Sequence, residues 1–298
     1  MIRKRTKVGA VCSAVLAAAL TMLVFAGSAS AKLVGEFTMF EHCPYNNIEV
    51  TRCTHAVTDG GEVVLGKKKT PIVNPVTLQG GFSKPVKRIS KFFGATNGVT
   101  LEKVPQPVPG GLLGLVPPEN SPPLIAALVE LAAENGLTGA SATLELARPA
   151  SEIVISEANL SEGIGVALQL PIKIKLENPL LGANCYVGSE ASPIIWKLTT
   201  GTTSPPEGVE PLIGETGSVT FHEEGRILRL TDSILVDNTW AAPKASGCGG
   251  VLLAPLIDPV INLAAGLPAG AGVNSAVLEN DINVTTTAAL KIVDAENP

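Results

Sequence analysis

The segment that most constrains the fold runs from Ile164 to Leu176. Ile164, Val166, Leu168, Leu170, Ile172, Ile174 and Leu176 alternate with Gly165, Ala167, Gln169, Pro171, Lys173 and Lys175. Period two places every large apolar side chain on one face of an extended chain, whereas a helix would scatter them around its circumference. The segment therefore predicts a long strand with one face on a core. Pro171 carries no N–H, so the strand is expected to bend there or to lie at a sheet edge. Val284, Thr286, Ala288, Leu290 and Ile292 repeat the pattern near the C-terminus and predict a second strand.

Shorter strands are expected at Leu33–Thr38, Glu62–Leu65, Val76–Gln79, Val99–Val104, Ala142–Leu146, Glu152–Ser156, Ile194–Leu198, Ser218–His222, Arg226–Leu230 and Ile234–Val236. Gly and Pro make up 53 of 298 residues, enough to punctuate a chain of many short strands. Two segments break the pattern. Pro123–Gly136 has Leu124, Ala127, Leu128, Leu131 and Ala132 at helical spacing, with Gly136 as a stop. Leu252–Leu267 is a second apolar helical stretch, interrupted by Pro255 and Pro259. Residues 104–123, rich in Pro and Gly, read as an extended connector. No regular strand–helix–strand alternation appears, which sets nucleotide-binding folds aside. The expected fold is mainly β: an antiparallel sandwich or barrel-like domain with two short helical inserts.

The N-terminus reads as a secretory signal. Arg3, Lys4, Arg5 and Lys7 precede an apolar run from Val8 to Phe25, and Ala29 and Ala31 supply the small residues a signal peptidase requires. A retained anchor is the alternative, since the run nearly spans a bilayer. Cleavage after Ala31 leaves residues 32–298 as a single β-rich secreted domain. That portion holds 18 basic and 27 acidic side chains, a net charge of −9. An acidic surface repels phosphate backbones, so nucleic acid is not an expected partner. The one basic run, Lys67–Lys69, is expected to cap a strand or turn. Aromatic residues are only 4% of the chain, too few for a surface that stacks sugars on rings.

Four cysteines follow the leader: Cys43, Cys53, Cys185 and Cys248. In an exported chain an even count reads as disulfides. Of three pairings, sequence proximity favours Cys43–Cys53 and Cys185–Cys248. The pattern His42-Cys43-x9-Cys53-x-His55 also holds zinc-ligand types, but adjacent His42 and Cys43 do not match the two-to-four-residue spacing of zinc ligands. His222-Glu223-Glu224 begins like a zinc-protease motif, yet Arg226 stands where a second histidine belongs. No segment satisfies the G-x-S-x-G or phosphate-loop patterns. Neither a catalytic residue nor a cofactor is expected. Asn159 and Asn283 sit in N-x-S/T triplets, which arise often by chance. The sharper idea is a pocket between the helical inserts, lined by Leu124, Leu128, Leu131, Leu256 and Ile261, for a lipid or another cell-envelope component. Against a membrane-surface role, the polar faces carry Glu130, Glu134 and Asp258 rather than basic residues.

Residues 178–189 (NPLLGANCYVGS), 198–203 (LTTGTT), 235–250 (LVDNTWAAPKASGCGG) and 266–280 (GLPAGAGVNSAVLEN) resemble segments of exported actinobacterial β-rich proteins of unknown function, with 77–81 (TLQGG) a weaker echo. The resemblance implies no activity. It places Cys185 and Cys248 within recurring segments, in keeping with their pairing. The expected role is that of a non-catalytic secreted or envelope-associated protein. The alternatives are a carrier of an apolar ligand, or a membrane-interacting protein, using the helical inserts, and a hydrolase with an unrecognised site.

Overall fold

A computed structural model describes residues 33–297; the expected leader at 1–31 lies outside them. The strands are β1 (Arg52–Leu65), β2 (Lys68–Pro71), β3 (Val76–Phe82), β4 (Ser90–Gly94), β5 (Gln106–Pro107), β6 (Ser141–Leu146) and β7 (Val154–Ile155), then β8 (Leu168–Glu177), β9 (Tyr186–Val187), β10 (Ile194–Leu198), β11 (Ser218–His222), β12 (Ile227–Asp237), β13 (Ala245–Ser246) and β14 (Ser275–Thr286). The helices are α1 (Gly111–Leu115), α2 (Pro123–Glu134), α3 (Glu157–Glu162), α4 (Gly250–Ala265) and α5 (Thr287–Glu296). Among the described residues no helix is long and apolar enough to cross a membrane.

All strands join one antiparallel sheet whose main path is β11-β12-β14-β1-β3-β4-β7-β8-β6-β5. It is sandwich-like, not a closed barrel. β4 is the corner: Phe92, Phe93 and Gly94 pair with β3, while Ser90 and Lys91 pair with β7. Glycine is required where the sheet turns. Gly80 lies opposite Gly94, and a Cβ on Gly80 would meet the Phe93 carbonyl at 2.5 Å and the Phe92 ring at 2.7 Å. The two halves meet again at one bridge, where Thr199 and Val236 exchange backbone hydrogen bonds of 3.0 and 2.9 Å. Beside it Asp237, fully buried, accepts the N–H of Lys197 and both the N–H and hydroxyl of Thr239. Burial pushes its carboxyl above the usual aspartate range. Phe82, Phe92, Ile172, Ile194, Trp196 and Leu198 fill the space between the halves.

β8 follows the alternation: Leu168, Leu170, Ile172, Ile174 and Leu176 are buried. It starts four residues later than the pattern, because Gly163 and Gly165 adopt φ of +65° and +64° and break the extended chain. Ile164 and Val166 are consequently exposed. Pro171 is not at a sheet edge, since β8 has neighbours on both sides. Its carbonyl accepts from Ala147 N–H, so its nitrogen faces the same side, where the neighbour changes from β6 to β7 and no ladder partner requires a donor.

Several expectations are corrected. The C-terminal strand stops at Thr286, whose side chain caps α5 by accepting from Ala289 N–H; Ala289, Leu290 and Val293 are then buried at helical spacing. Leu33–Thr38 is not a strand, because Gly35–Phe40 is a 3-10 helix with Phe37 and Phe40 buried. That segment and α5 form a second, smaller core on the outer face of the first half-sheet, over Cys53 and Ile227. Val99–Val104 forms only a bridge at Leu101. The strands expected at Arg226–Leu230 and Ile234–Val236 are one strand, β12, which begins at Ile227 and is interrupted where its register with β14 shifts between Leu230 and Ser233. The helical inserts are joined by α1, α3 and α5. The expected connector 104–123 instead carries β5 and α1, and Val108, Leu112, Leu115 and Val116 are buried in the main core, their apolar surface outweighing the surrounding Pro and Gly.

Both disulfides form, Cys43–Cys53 and Cys185–Cys248. The first fixes the outer N-terminal layer to β1. The second ties the chain entering β9 to the start of α4, where Asp258 accepts the N–H groups of Gly247 and Cys248.

Candidate functional site

The inner face of the first half-sheet is a grid set by strand register. Arg52 pairs with Thr286 and Phe82, Thr54 with Val284 and Gly80, and Ala56 with Ile282 and Leu78. β12 continues the rows, with Leu228 opposite Val284 and Leu230 opposite Ile282. β11 adds Phe221 beside Leu228 and Val219 beside Leu230. Arg226 directly precedes β12, in a helical backbone conformation, and lies at the same end of the grid as Thr286 and Arg52. Side chains of one parity share one face, so the end of the grid that carries Arg52, with Arg226 beside it, borders two rows that are almost wholly apolar.

The second half-sheet covers only part of this grid. Over the remainder stands α3, and between them lies an open cleft of about 400 Å³. Its floor is Leu228, Leu230, Ile282 and Val284, and its roof is Ala158, Leu160 and Ser161. The cleft shares Thr54, Ile155, Leu160 and Ile282 with an interior cavity of about 70 Å³ that reaches Trp196. Phe221, 67% exposed, stands at the open side.

α3 is held firmly for a helix of six residues. Ser156 caps it by accepting from Asn159 N–H. The Thr200 hydroxyl donates to Leu160 O at 2.7 Å, and Asn159 Nδ2 donates to Val166 O at 2.8 Å. Arg88 pairs with Glu162 at 2.7 Å. Arg52 pairs with Glu157, joining floor to roof across the mouth. An apolar, pre-formed cleft of several hundred Å³ with few polar groups has the build of a small-molecule site. No family model, curated protein or solved structure matches the chain.

The five residues expected to line a helical pocket are not brought together. Leu124 and Leu131 are 56% and 55% exposed. Leu128 and Leu256 are half-buried against the core, and Ile261 is fully buried in it. None of them lines the cleft, the interior cavity, or a second cavity of about 50 Å³ beneath Leu115 and Leu267. The amphipathic spacing of these helices reports packing on the sheet rather than a shared void.

The remaining candidate chemistry is dispersed. Cys43 and Cys53 are consumed by their disulfide. His42 contacts Glu41 at 3.3 Å, and His55 is held below the usual histidine range by burial, against the opposing pull of Glu102. His222 lies 3.2 Å from the Thr220 hydroxyl and 3.4 Å from Glu36. This line resembles a hydroxyl–imidazole–carboxylate relay, but it sits on the outer face, opposite the Phe221 side, and Glu36 is held more closely by Arg229 at 3.0 Å. Asp59, Glu215, Asp232, Glu279 and Asp281 line an acidic depression near the register shifts of β1 and β12. Among the described residues no group of three His, Cys, Asp or Glu is arranged to hold a metal ion.

Proposed function

We propose that this is an exported, non-catalytic binding protein that takes an aliphatic chain into the cleft beneath α3, with the chain's end reaching toward the interior cavity. The observation that carries this reading is the apolar floor of half-buried Leu228 and Val284 and buried Leu230 and Ile282, roofed by a well-tethered helix and leading to Trp196. Export is supported by two disulfides, which persist in oxidising compartments, and by the leader-like N-terminus. Envelope association rests on the resemblance of the C-terminal segments to exported actinobacterial proteins. Relative to the helical-insert carrier, the site moves from the helices to the sheet.

Decan-1-ol tests the reading, because it offers a chain without charge. Titration is expected to change tryptophan fluorescence saturably, since Trp196 lines the inner end. Replacing both Leu228 and Val284 by Phe fills the floor and is expected to weaken binding about tenfold or more, equivalent to roughly 1.4 kcal/mol, with an unchanged circular dichroism spectrum. A non-saturable response, or equal affinity in the filled variant, contradicts the proposal.

A further inference from the structure

We infer that the cleft selects an anionic amphiphile, an aliphatic chain ending in a carboxylate, with its head between Arg52 and Arg226; this rests on the cleft being a chain-binding site. Seventeen residues line the cleft, and its only charged groups are Arg52, Arg226 and Glu157. Arg52 pairs with Thr286, and Arg226 directly precedes Ile227, whose partner is Thr285, so both cations lie at the same end of the grid. Two inter-strand spacings, about 10 Å, separate their backbones. Every row further in is uncharged. Charge at the mouth and hydrocarbon within is the distribution of an amphiphile, and its sign at the mouth is positive on a protein whose expected mature charge is −9.

Neither guanidinium is used up. Arg52 engages Glu157 through Nη1, which leaves donors elsewhere on its five-donor fork. Arg226 donates from Nε to Glu223 O at 3.2 Å, lies 3.7 Å from Glu224, and stands 5.4 Å from the centre of the Phe37 ring. A carboxylate matches the planar fork in a two-point contact. Glu157 already holds Nη1 of Arg52, so it acts as a built-in competitor that an incoming head must displace or share.

The test compares decanoate, decan-1-ol and decyltrimethylammonium, which share a chain and differ in head charge, at about pH 8, where the acid is ionised. Decanoate is expected to bind about tenfold more tightly than the alcohol, and the cation more weakly than either. The decanoate advantage is expected to shrink with salt. It disappears in the Arg52→Gln, Arg226→Gln double variant when read as the ratio of decanoate to decan-1-ol affinity, in which any effect of losing the Arg52–Glu157 tether cancels. Arg52→Lys, which keeps the charge, retains part of the advantage. Glu157→Gln, by removing the competitor, is expected to raise the ratio of decanoate to decan-1-ol affinity several-fold. Equal binding of the three ligands, or a decanoate advantage that survives in the double variant, overturns the inference and leaves the chain-binding cleft standing. Absence of binding by all three overturns the cleft reading itself.

Discussion

Replacing Cys185 and Cys248 together by Ser is expected to lower the unfolding free energy by about 4 kcal/mol, because the link closes a loop of 63 residues in the denatured chain. The shorter Cys43–Cys53 link spans 10 residues and is expected to contribute about 3 kcal/mol on the same argument. Local structure increases the difference. β9 and β13 pair through only two residues each, a length that cannot stand alone, and the disulfide fixes the chain at both of these strands. Both sulfurs are fully buried, so the serine hydroxyls would also need partners in an apolar setting. Urea unfolding of the two double variants checks the ranking, with the larger fall expected for Cys185 and Cys248. Reduction of the wild-type protein should add the mass of four protons and their electrons. An unchanged mass, or the reverse ranking, contradicts the pairing or its structural role.

The second large effect is expected at Trp196. It is 1% exposed on β10, opposite Leu170 of β8, with its ring 6.0 Å from that of Trp240 at a 59° tilt. Trp196→Ala removes the largest side chain between the half-sheets and enlarges an existing cavity, a change that costs about 3–5 kcal/mol. Its indole N–H finds no partner within the described residues. Trp196→Phe removes that unpaired donor and keeps an aromatic ring, so its cost is expected to be smaller, about 1–2 kcal/mol. Thermal or urea unfolding of the pair distinguishes them. Equal losses would mean that volume at this position does not govern the contact between the halves.

The strands were legible where burial alternates cleanly. β8 shows this best, since its lysines face one side and Leu168, Leu170, Ile172, Ile174 and Leu176 the other. The same logic failed at the C-terminus, where Leu290 and Ile292 fit a period of two as well as Leu290 and Val293 fit a helix. The capping hydroxyl of Thr286 decides between them, and a threonine at that position reads equally as a strand residue. The first half of β1 was missed because Thr54, His55, Thr58 and the Gly60–Gly61 pair show little apolar alternation. Its strand character comes from long pairings with β3 and β14, which are tertiary.

The candidate site was hidden for a related reason. Leu228, Leu230, Ile282 and Val284 carry the ordinary signature of an inward face, and no local pattern shows which part of that face the second half-sheet leaves uncovered. Arg52 and Arg226 stand 174 residues apart and come to the same end of the grid only through the register of β1, β14 and β12. The helical leucines drew attention because their spacing is local. Exposure of Leu124 and Leu131 then separates an apolar helix from a cavity wall.

Methyl NMR of the isotopically labelled protein during addition of decan-1-ol tests the central claim most directly. The methyl resonances of Leu228, Leu230, Ile282 and Val284 are expected to shift together along one saturable curve, while those of Leu124, Leu131 and Leu252 stay in place. Shifts confined to the helical leucines, with the sheet methyls unmoved, would contradict the cleft as the binding site.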